Sequence, residues 1–257
     1  MANTVYSNKV LEAKAKDLLT TAVNTRSLMT VDNELAQNAG MTKTINTYTY
    51  SGTAEEVEAG AGNTNRGTIS YVGKDYTVKM VQQAFDYLDE DYMKDETIVD
   101  NMLKGANQVM VNKMSADFTA ELAKATLTST NAKFGYEAIV DGISTLNVED
   151  ESKLFVVIPN AWKAELRKDA DYKAARMGEV VYNGQVGTIC GIPVIATKAL
   201  TDAAYVMSAE AVKLFMKKDV EVEQDRDADT RTNSVYLRTA YIVALVDATK
   251  ICKITKG

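Results

Sequence analysis

Between Asp95 and Ala125 the chain reads DETIVDNMLKGANQVMVNKMSADFTAELAKA, with no proline and with Gly105 as its one interior glycine. Apolar residues recur at Ile98, Met102, Ala106, Val109, Met110, Met114, Phe118 and Leu122, at steps of three, four and one, which is the spacing of one helix face. Asp95, Asp100, Lys104, Gln108, Lys113, Asp117, Glu121 and Lys124 fall mainly elsewhere. About 30 residues at a rise of about 1.5 Å each make a rod of about 45 Å, long against the roughly 10–14 residues of an ordinary helix. Asp95 or Thr97 can cap its start, and acids in a first turn suit the helix dipole. A rod this long, with strand-like sequence on either side, points to a scaffold element and away from a catalytic pocket.

The 257 residues suffice for one large domain or two smaller ones. With 46% apolar and 25% charged residues, the composition is that of a soluble globular protein. No window approaches the length of a continuous apolar span, so no membrane segment is expected. The N-terminal MANTVYSNKVLEAKAKDLL has no apolar signal core. Cys190 and Cys252 share no ligand-like motif and read as reduced thiols in strands, which fits a cytosolic origin. A formal charge of −6 argues against a general nucleic-acid binder, which needs a basic face to offset phosphate. Histidine is absent, which removes serine–histidine and cysteine–histidine catalysis and histidine-ligated zinc. Carboxylate or lysine chemistry stays open.

Residues 7–23 predict a helix with a thin stripe of Val10, Leu11, Ala15, Leu18, Leu19 and Ala22, capped by Ser7 and suited to docking on another surface, this chain's or a neighbour's. MTKTINTYTY, residues 41–50, has strand composition. The glycine-rich Ser51–Gly67 has almost no large apolar residue and reads as a mobile hairpin tip. Strand character returns from Thr68 to Lys79, interrupted at Gly73-Lys74-Asp75. Together these predict an extended β arm that finds its partners on another subunit, because an unpaired arm would be an aggregation hazard. Residues 80–94, with Asp86, Asp89, Glu90 and Asp91, read as a solvated connector into the long helix in preference to a metal or partner site.

Beyond the rod, Tyr136–Leu146 reads as a helix and Lys153–Ile158 as a buried strand. Pro159 and Asn160 open a short helix carrying Trp162 and Leu166, and Asp169–Gln185 reads as an irregular loop with a single helical turn. Val186–Cys190 and Ile192–Ala196 are β runs joined at Gly191. Ala203–Met207 is another strand, and Ser208 is expected to cap a helix over Ala209–Met216. Val235–Thr239, Tyr241–Val246 and Thr249–Thr255 read as strands.

The glycines near Gly60 and Gly62 lack the Gly-Lys-Ser/Thr ending and following helix of a phosphate loop, so flexibility explains them better. Asp219, Glu221, Glu223, Asp225, Asp227 and Asp229 alternate at every second position and share one strand face. That face must be solvated, bound to a hard cation, or matched by arginines such as Arg226, Arg231 or a neighbour's; the solvated or inter-subunit reading is preferred, and no metal or cofactor is expected. Met102, Met110 and Met114 read as core or interface packing. Tyr48, Tyr50, Tyr71 and Tyr76 on the arm could anchor an interface, and Glu58, Arg66 and Lys74 lie beside them.

The order of these elements resembles the major capsid protein of tailed bacteriophages with the Hong Kong 97-like fold. FVVIPNAWKAELRK (Phe155–Lys168), GQVGTICGIPVIAT (Gly184–Thr197) and VEVEQDRDADTRTNSVYLRTAYIVALVDATKICKI (Val220–Ile254) look like that family. The resemblance implies an α+β fold: residues 1–40 an N-terminal arm with a helix, 41–80 the E-loop hairpin, 81–130 and 208–257 a peripheral (P) domain around a spine helix, and 131–207 an axial (A) domain. The spine helix should then meet Val220, Val222, Val235, Leu237, Ile242 or Ala244. The resemblance further implies hexamers and pentamers closing an icosahedral shell around double-stranded DNA that is held without sequence-specific binding. It implies a virion capsid assembled in the bacterial host cytoplasm, with a portal and, because the arm starts within the first residues, a separate scaffolding protein. Some relatives form lysine–asparagine cross-links with a glutamate assisting; Lys74 lies on the arm, but no asparagine or glutamate partner matches by motif, and that chemistry is not carried over. Encapsulins, shells of related fold that enclose cargo enzymes, are the alternative reading. An enzyme using Asp86 or Glu221 is a third.

Overall fold

The computed structural model describes residues 7–21, 25–37, 39–175 and 187–257. In chain order, α1 (Asn8–Thr21) leads to a short strand β1 (Thr30–Asp32) and the single-turn α2 (Glu34–Gln37). The arm strands are β2 (Thr42–Ser51) and β3 (Thr68–Thr77), followed by β4 (Lys79–Leu88), α3 (Asp89–Lys94) and the rod α4 (Ile98–Leu122). Then come β5 (Leu127–Asn131), α5 (Tyr136–Leu146), β6 (Leu154–Pro159), α6 (Lys163–Lys168) and α7 (Ala170–Ala175). The chain closes with β7 (Thr188–Ile189), β8 (Ile192–Thr197), β9 (Ala203–Ser208), β10 (Val212–Asp227), β11 (Thr232–Leu245) and β12 (Ile251–Lys256). Strands assemble into a four-stranded sheet in the order β1-β10-β11-β4, a six-stranded sheet β5-β12-β9-β6-β8-β7, and the separate two-stranded arm. The six-stranded sheet draws β5 and β12 from outside residues 131–207, so the sheets cut across the expected domain limits.

The rod spans 25 residues, about 38 Å at about 1.5 Å per residue. Asp95 shapes its approach: its carboxylate accepts from the Thr97 amide at 2.8 Å and hydroxyl at 2.7 Å, and the helix starts just after. The buried face runs through Val99, Leu103, Ala106, Met110, Val111, Met114, Phe118 and Leu122, while Val109 is exposed. Adjacent apolar pairs (Ile98/Val99, Met102/Leu103, Met110/Val111) support two stripes one residue apart, and periodicity alone does not choose between them.

The two halves of the rod face different neighbours. Its N-terminal half packs on Leu11 and Ala15 of α1 and on Tyr87, Val222, Val235 and Leu237 of the four-stranded sheet. Its C-terminal half, Met114, Phe118 and Leu122, joins Leu214, Met216, Tyr241 and Val243 to Phe155, Val157, Tyr205 and Met207 of the six-stranded sheet. That second cluster is where the two sheets become one body. A fully buried Phe118 or Leu122 contributes about 1.5–3 kcal/mol. The opposite face of the six-stranded sheet is covered by Ile139 and Ile143 of α5, with Phe134, Trp162 and Leu166.

Several expectations are corrected. The helix over Ala209–Met216 is the start of β10: Leu214 and Met216 turn toward the rod while Phe215 turns to the opposite face, a period of two that burial on both faces imposes over helix propensity. The connector at residues 80–94 is strand β4 for most of its length, with Val81, Phe85 and Tyr87 alternating inward beneath its acidic composition, and helix α3 follows. Ile242 and Ala244 face away from the rod, in a cluster with Leu35, Ile45, Tyr76, Val78 and Phe215. The α1 stripe docks on this chain's own rod and sheet, where Lys14 pairs with Asp100 at 2.9 Å. Leu18 and Leu19 lie outside the described side chains, and Ala22 outside the described residues. The single strand β11 also replaces two expected strands, β3 runs unbroken through Gly73-Lys74-Asp75, and Cys190 sits in the turn after β7 with φ 52° instead of in a strand.

Candidate assembly surface

The arm is an antiparallel ribbon with an unbroken register from Thr42↔Thr77 to Ser51↔Thr68. Directly opposed residues share a face, so Tyr48↔Tyr71 and Tyr50↔Ile69 stand side by side near its end. These four are 70%, 69%, 61% and 52% exposed, and the Tyr48 and Tyr71 ring centres lie 6.5 Å apart. Four large side chains left in water on one face of a two-stranded ribbon form a patch of the kind that marks an interaction site.

Only the root of the arm is embedded. Ile45, Tyr76 and Val78 enter the cluster formed by Phe215, Ala240 and Ile242 on the outer face of the four-stranded sheet. The Tyr76 hydroxyl donates to the Leu245 carbonyl at 3.2 Å, and the Val78 amide donates to the Met41 carbonyl at 2.7 Å. Lys43 pairs with Glu34 at 2.7 Å. Tyr76 is therefore an anchor within the chain, which corrects its reading as an anchor for an interface. Lys74 is exposed, its ammonium 5.1 Å from the Tyr76 ring centre.

Glu55, which the sequence reading passed over, organises the glycine-rich tip. Its carboxylate accepts from the Thr64 amide at 3.0 Å, the Thr64 hydroxyl at 2.9 Å and the Asn65 amide at 3.0 Å. The Thr64 hydroxyl, then the two amides, hold this carboxyl below the usual glutamate value. Glu58 and Arg66 flank that turn, both exposed.

The acidic strand is β10. Glu221, Glu223, Asp225 and Asp227 lie on the sheet face turned away from the rod. Part of their countercharge is internal: Arg238 of β11 reaches Glu223 at 2.6 Å and Lys218 reaches Glu221 at 2.6 Å. Arg226 points to the other face, pairing with Asp89 at 2.7 Å, and Asn233 donates to the same carboxylate at 2.7 Å. The Asn233 and Arg226 bonds hold the Asp89 carboxyl below its usual range. Arg231 pairs with Glu90 at 2.9 Å. Asp227 closes the β10–β11 turn by accepting from the Asp229 amide at 2.9 Å and the Thr230 hydroxyl at 2.8 Å. Among the described residues no group of three or more Asp, Glu or Cys side chains is placed to hold a metal ion, and no helix is long and apolar enough to cross a membrane.

Asp86 and Glu221 stand on this open sheet face. A cleft of about 810 Å³ lies beside α5 and α6, and two of its acids have structural work. Asp169 accepts from the Tyr136 amide at 2.5 Å at the start of α5, and Glu165 pairs with Lys256 at 2.6 Å.

A family model described as phage capsid protein matches residues 71–254. The major capsid protein of Staphylococcus phage phiMR11 is 27% identical over 243 residues, covering 90% of this chain and 86% of that protein. Among solved structures, the mature capsid of bacteriophage PhiM1 superposes with a TM-score of 0.70 at 11% identity, over 90% of this chain and 86% of that one. A virus-like particle from Pyrococcus furiosus superposes at 0.67 with 9% identity, over 96% and 98%.

Proposed function

The chain belongs to the phage capsid protein family and has the Hong Kong 97-like fold, and on that premise we propose that it assembles with copies of itself, as hexamers and pentamers, into the icosahedral shell that encloses a phage's double-stranded DNA. The observation that carries the proposal is the arm: a ribbon fastened at its root by Tyr76 and Val78, with Tyr48, Tyr50, Ile69 and Tyr71 presented to solvent. Such a patch is satisfied by a neighbouring subunit. In this reading the four-stranded sheet with the rod is the peripheral region and the six-stranded sheet the axial region. Glu58, Arg66 and Lys74 border the arm contact, and Glu221, Glu223, Asp225 and Asp227 face a neighbour or solvent.

The protein works by geometry and not by turnover. Several of its carboxylates, Asp89 and Glu165 among them, are engaged in ion pairs, and the chain lacks histidine, the commonest proton-transfer residue. The fold alone is shared with the Pyrococcus particle; the family model and the Staphylococcus phage relative favour a phage shell over an encapsulin. A scaffolding protein, a portal and assembly in the host cytoplasm complete the proposal.

Purified protein, alone and co-expressed with the proteins encoded beside it, should give rings, tubes or shells in negative-stain micrographs and fast-sedimenting species in the ultracentrifuge. A chain that stays monomeric in every such combination would sink the proposal.

A further inference from the structure

Strand β4 is the outer edge of the four-stranded sheet, and the register says which of its backbone groups are unpaired. The Asp89 amide donates to the Arg231 carbonyl at 3.2 Å. In an antiparallel ladder bonded pairs recur at every second residue. Tyr87↔Asn233, Phe85↔Val235, Gln83↔Leu237 and Val81↔Thr239 are therefore the bonded pairs with β11. Met80, Gln82, Ala84, Asp86 and Leu88 consequently turn their N–H and C=O groups outward. The Gln83 side-chain amide donates to the Ala84 carbonyl at 3.1 Å, which independently places that carbonyl on the outer edge. The same five residues are exposed. No proline interrupts the edge, and no strand among the described residues covers it. A long open edge is a template for another strand.

The sequence of the edge restricts what can pair there. The sheet face beside it carries Asp86, Glu221, Glu223, Asp225 and Asp227 against Lys218 and Arg238, so stacking a second such face on it is repulsive. Edge-to-edge pairing keeps the two acidic faces apart. An antiparallel copy of β4 centred on Ala84 sets Met80 opposite Leu88, Gln82 opposite Asp86, and the small Ala84 opposite itself. Apolar meets apolar, an amide meets a carboxylate, and all five outward residues are matched. Centring instead on Asp86 would oppose two carboxylates directly, which is destabilising.

The geometry points to β4 as a two-fold contact between copies of this chain, in which two β4 edges pair antiparallel about Ala84 and join two four-stranded sheets into one of eight. It rests on the reading that the chain self-assembles. The edge contact is small compared with a free-standing dimer interface, so it acts within the assembled particle, reinforced by other contacts.

The test is site-specific cross-linking of assembled particles, in a Cys190→Ser background because Cys190 is exposed, using a short bismaleimide. Ala84→Cys places two thiols on opposed residues whose Cα atoms lie about 5.5 Å apart, and the monomer band should shift to that of a dimer. Glu223→Cys, two strands in, would sit about 24 Å from its mate at about 4.8 Å per strand and should stay monomeric. Gln82→Cys and Asp86→Cys proteins should cross-link when co-assembled and not alone, since Gln82 lies about 14 Å from its own mate at about 3.4 Å per residue. This pair fixes the register and serves if Ala84→Cys fails to fold. Particles that form normally but give no dimer from Ala84→Cys or from the mixed pair would overturn the β4 contact and leave the shell reading standing. A chain that is monomeric throughout and never cross-links overturns both.

Discussion

The Tyr241 hydroxyl donates to the Asp117 carboxylate at 2.9 Å, a bond that ties β11 to the C-terminal half of the long helix. The same carboxylate accepts from Lys113 at 2.8 Å and lies 3.5 Å from Lys79, where the arm's second strand runs into β4. Burial pushes this carboxyl up, but the bonds from Lys113 and Tyr241 and the charge of Lys79 outweigh it and hold it below its usual value. Replacing Asp117 by Ala strands a buried hydroxyl, and the expected loss is about 1–3 kcal/mol in urea unfolding of the subunit. Tyr241→Phe combined with Asp117→Ala should cost less than the sum of the two single changes. Strict additivity would show that the pair does not interact.

The pH dependence follows from the same groups. Asp117 and Asp89 are held below the ordinary value of 3.8, so their stabilisation is complete above that value and fades as pH falls through their lowered folded values. Tyr241 is raised above 10.0 by burial and by Asp117, so its contribution is present below 10.0 and fades as pH rises beyond it. Urea midpoints across this range should plateau near neutrality and fall at both ends. Asp117→Asn should flatten part of the acid limb; an unaltered limb would assign acid lability to other carboxylates.

The arm divides into a root that stabilises and an end that does not. Tyr76→Phe removes one hydroxyl bond and should cost about 1 kcal/mol, while Tyr76→Ala empties part of a buried cluster and should cost about 3 kcal/mol. Both are read from denaturant midpoints of the unassembled subunit. A stability loss for Tyr48→Ser as large as for Tyr76→Ala would contradict the division.

Deleting residues 52–66, or replacing Tyr48 and Tyr71 together by Ser, should leave subunit stability within about 0.5 kcal/mol. It should also abolish particle formation. The hydrogen bonds of Glu55 reach only Thr64 and Asn65, so the tip takes its support from itself. Normal particles from the double Ser variant would remove the aromatic face from the assembly contact.

Gly142 sits in α5 where an added methyl would lie 2.8 Å from Ile254 Cδ1 and 3.1 Å from Val206 Cγ2. Alanine gains about 1 kcal/mol of helix propensity, but overpacking costs about 1–3 kcal/mol. Gly142→Ala is expected to lower the melting temperature, and a higher one would refute the close-packing account.

Where an element lies and what type it is could often be read from local pattern. The rod, the arm, α5 and the strands β6, β9 and β12 each carry a periodicity or propensity strong enough to stand alone. β4 and the start of β10 do not. MVQQAFDYL looks like a charged connector until Val81, Phe85 and Tyr87 are seen against the rod and α1, and AVKLFM looks helical until both faces of a sheet need it. Tyr76 is chemically the same as Tyr71, but one lies five residues nearer the root and is buried there. Asp117 and Tyr241 are 124 positions apart, and no local pattern pairs them.

The sequence by itself determined that this chain builds a long helix and a projecting ribbon and that it does so without histidine, because those properties depend on neighbours in the chain and on which side chains are present. Only the tertiary structure decided which face of the helix is inside, which tyrosines are free, and that β4 ends a sheet with its edge open. Each of these depends on what packs from elsewhere in the sequence.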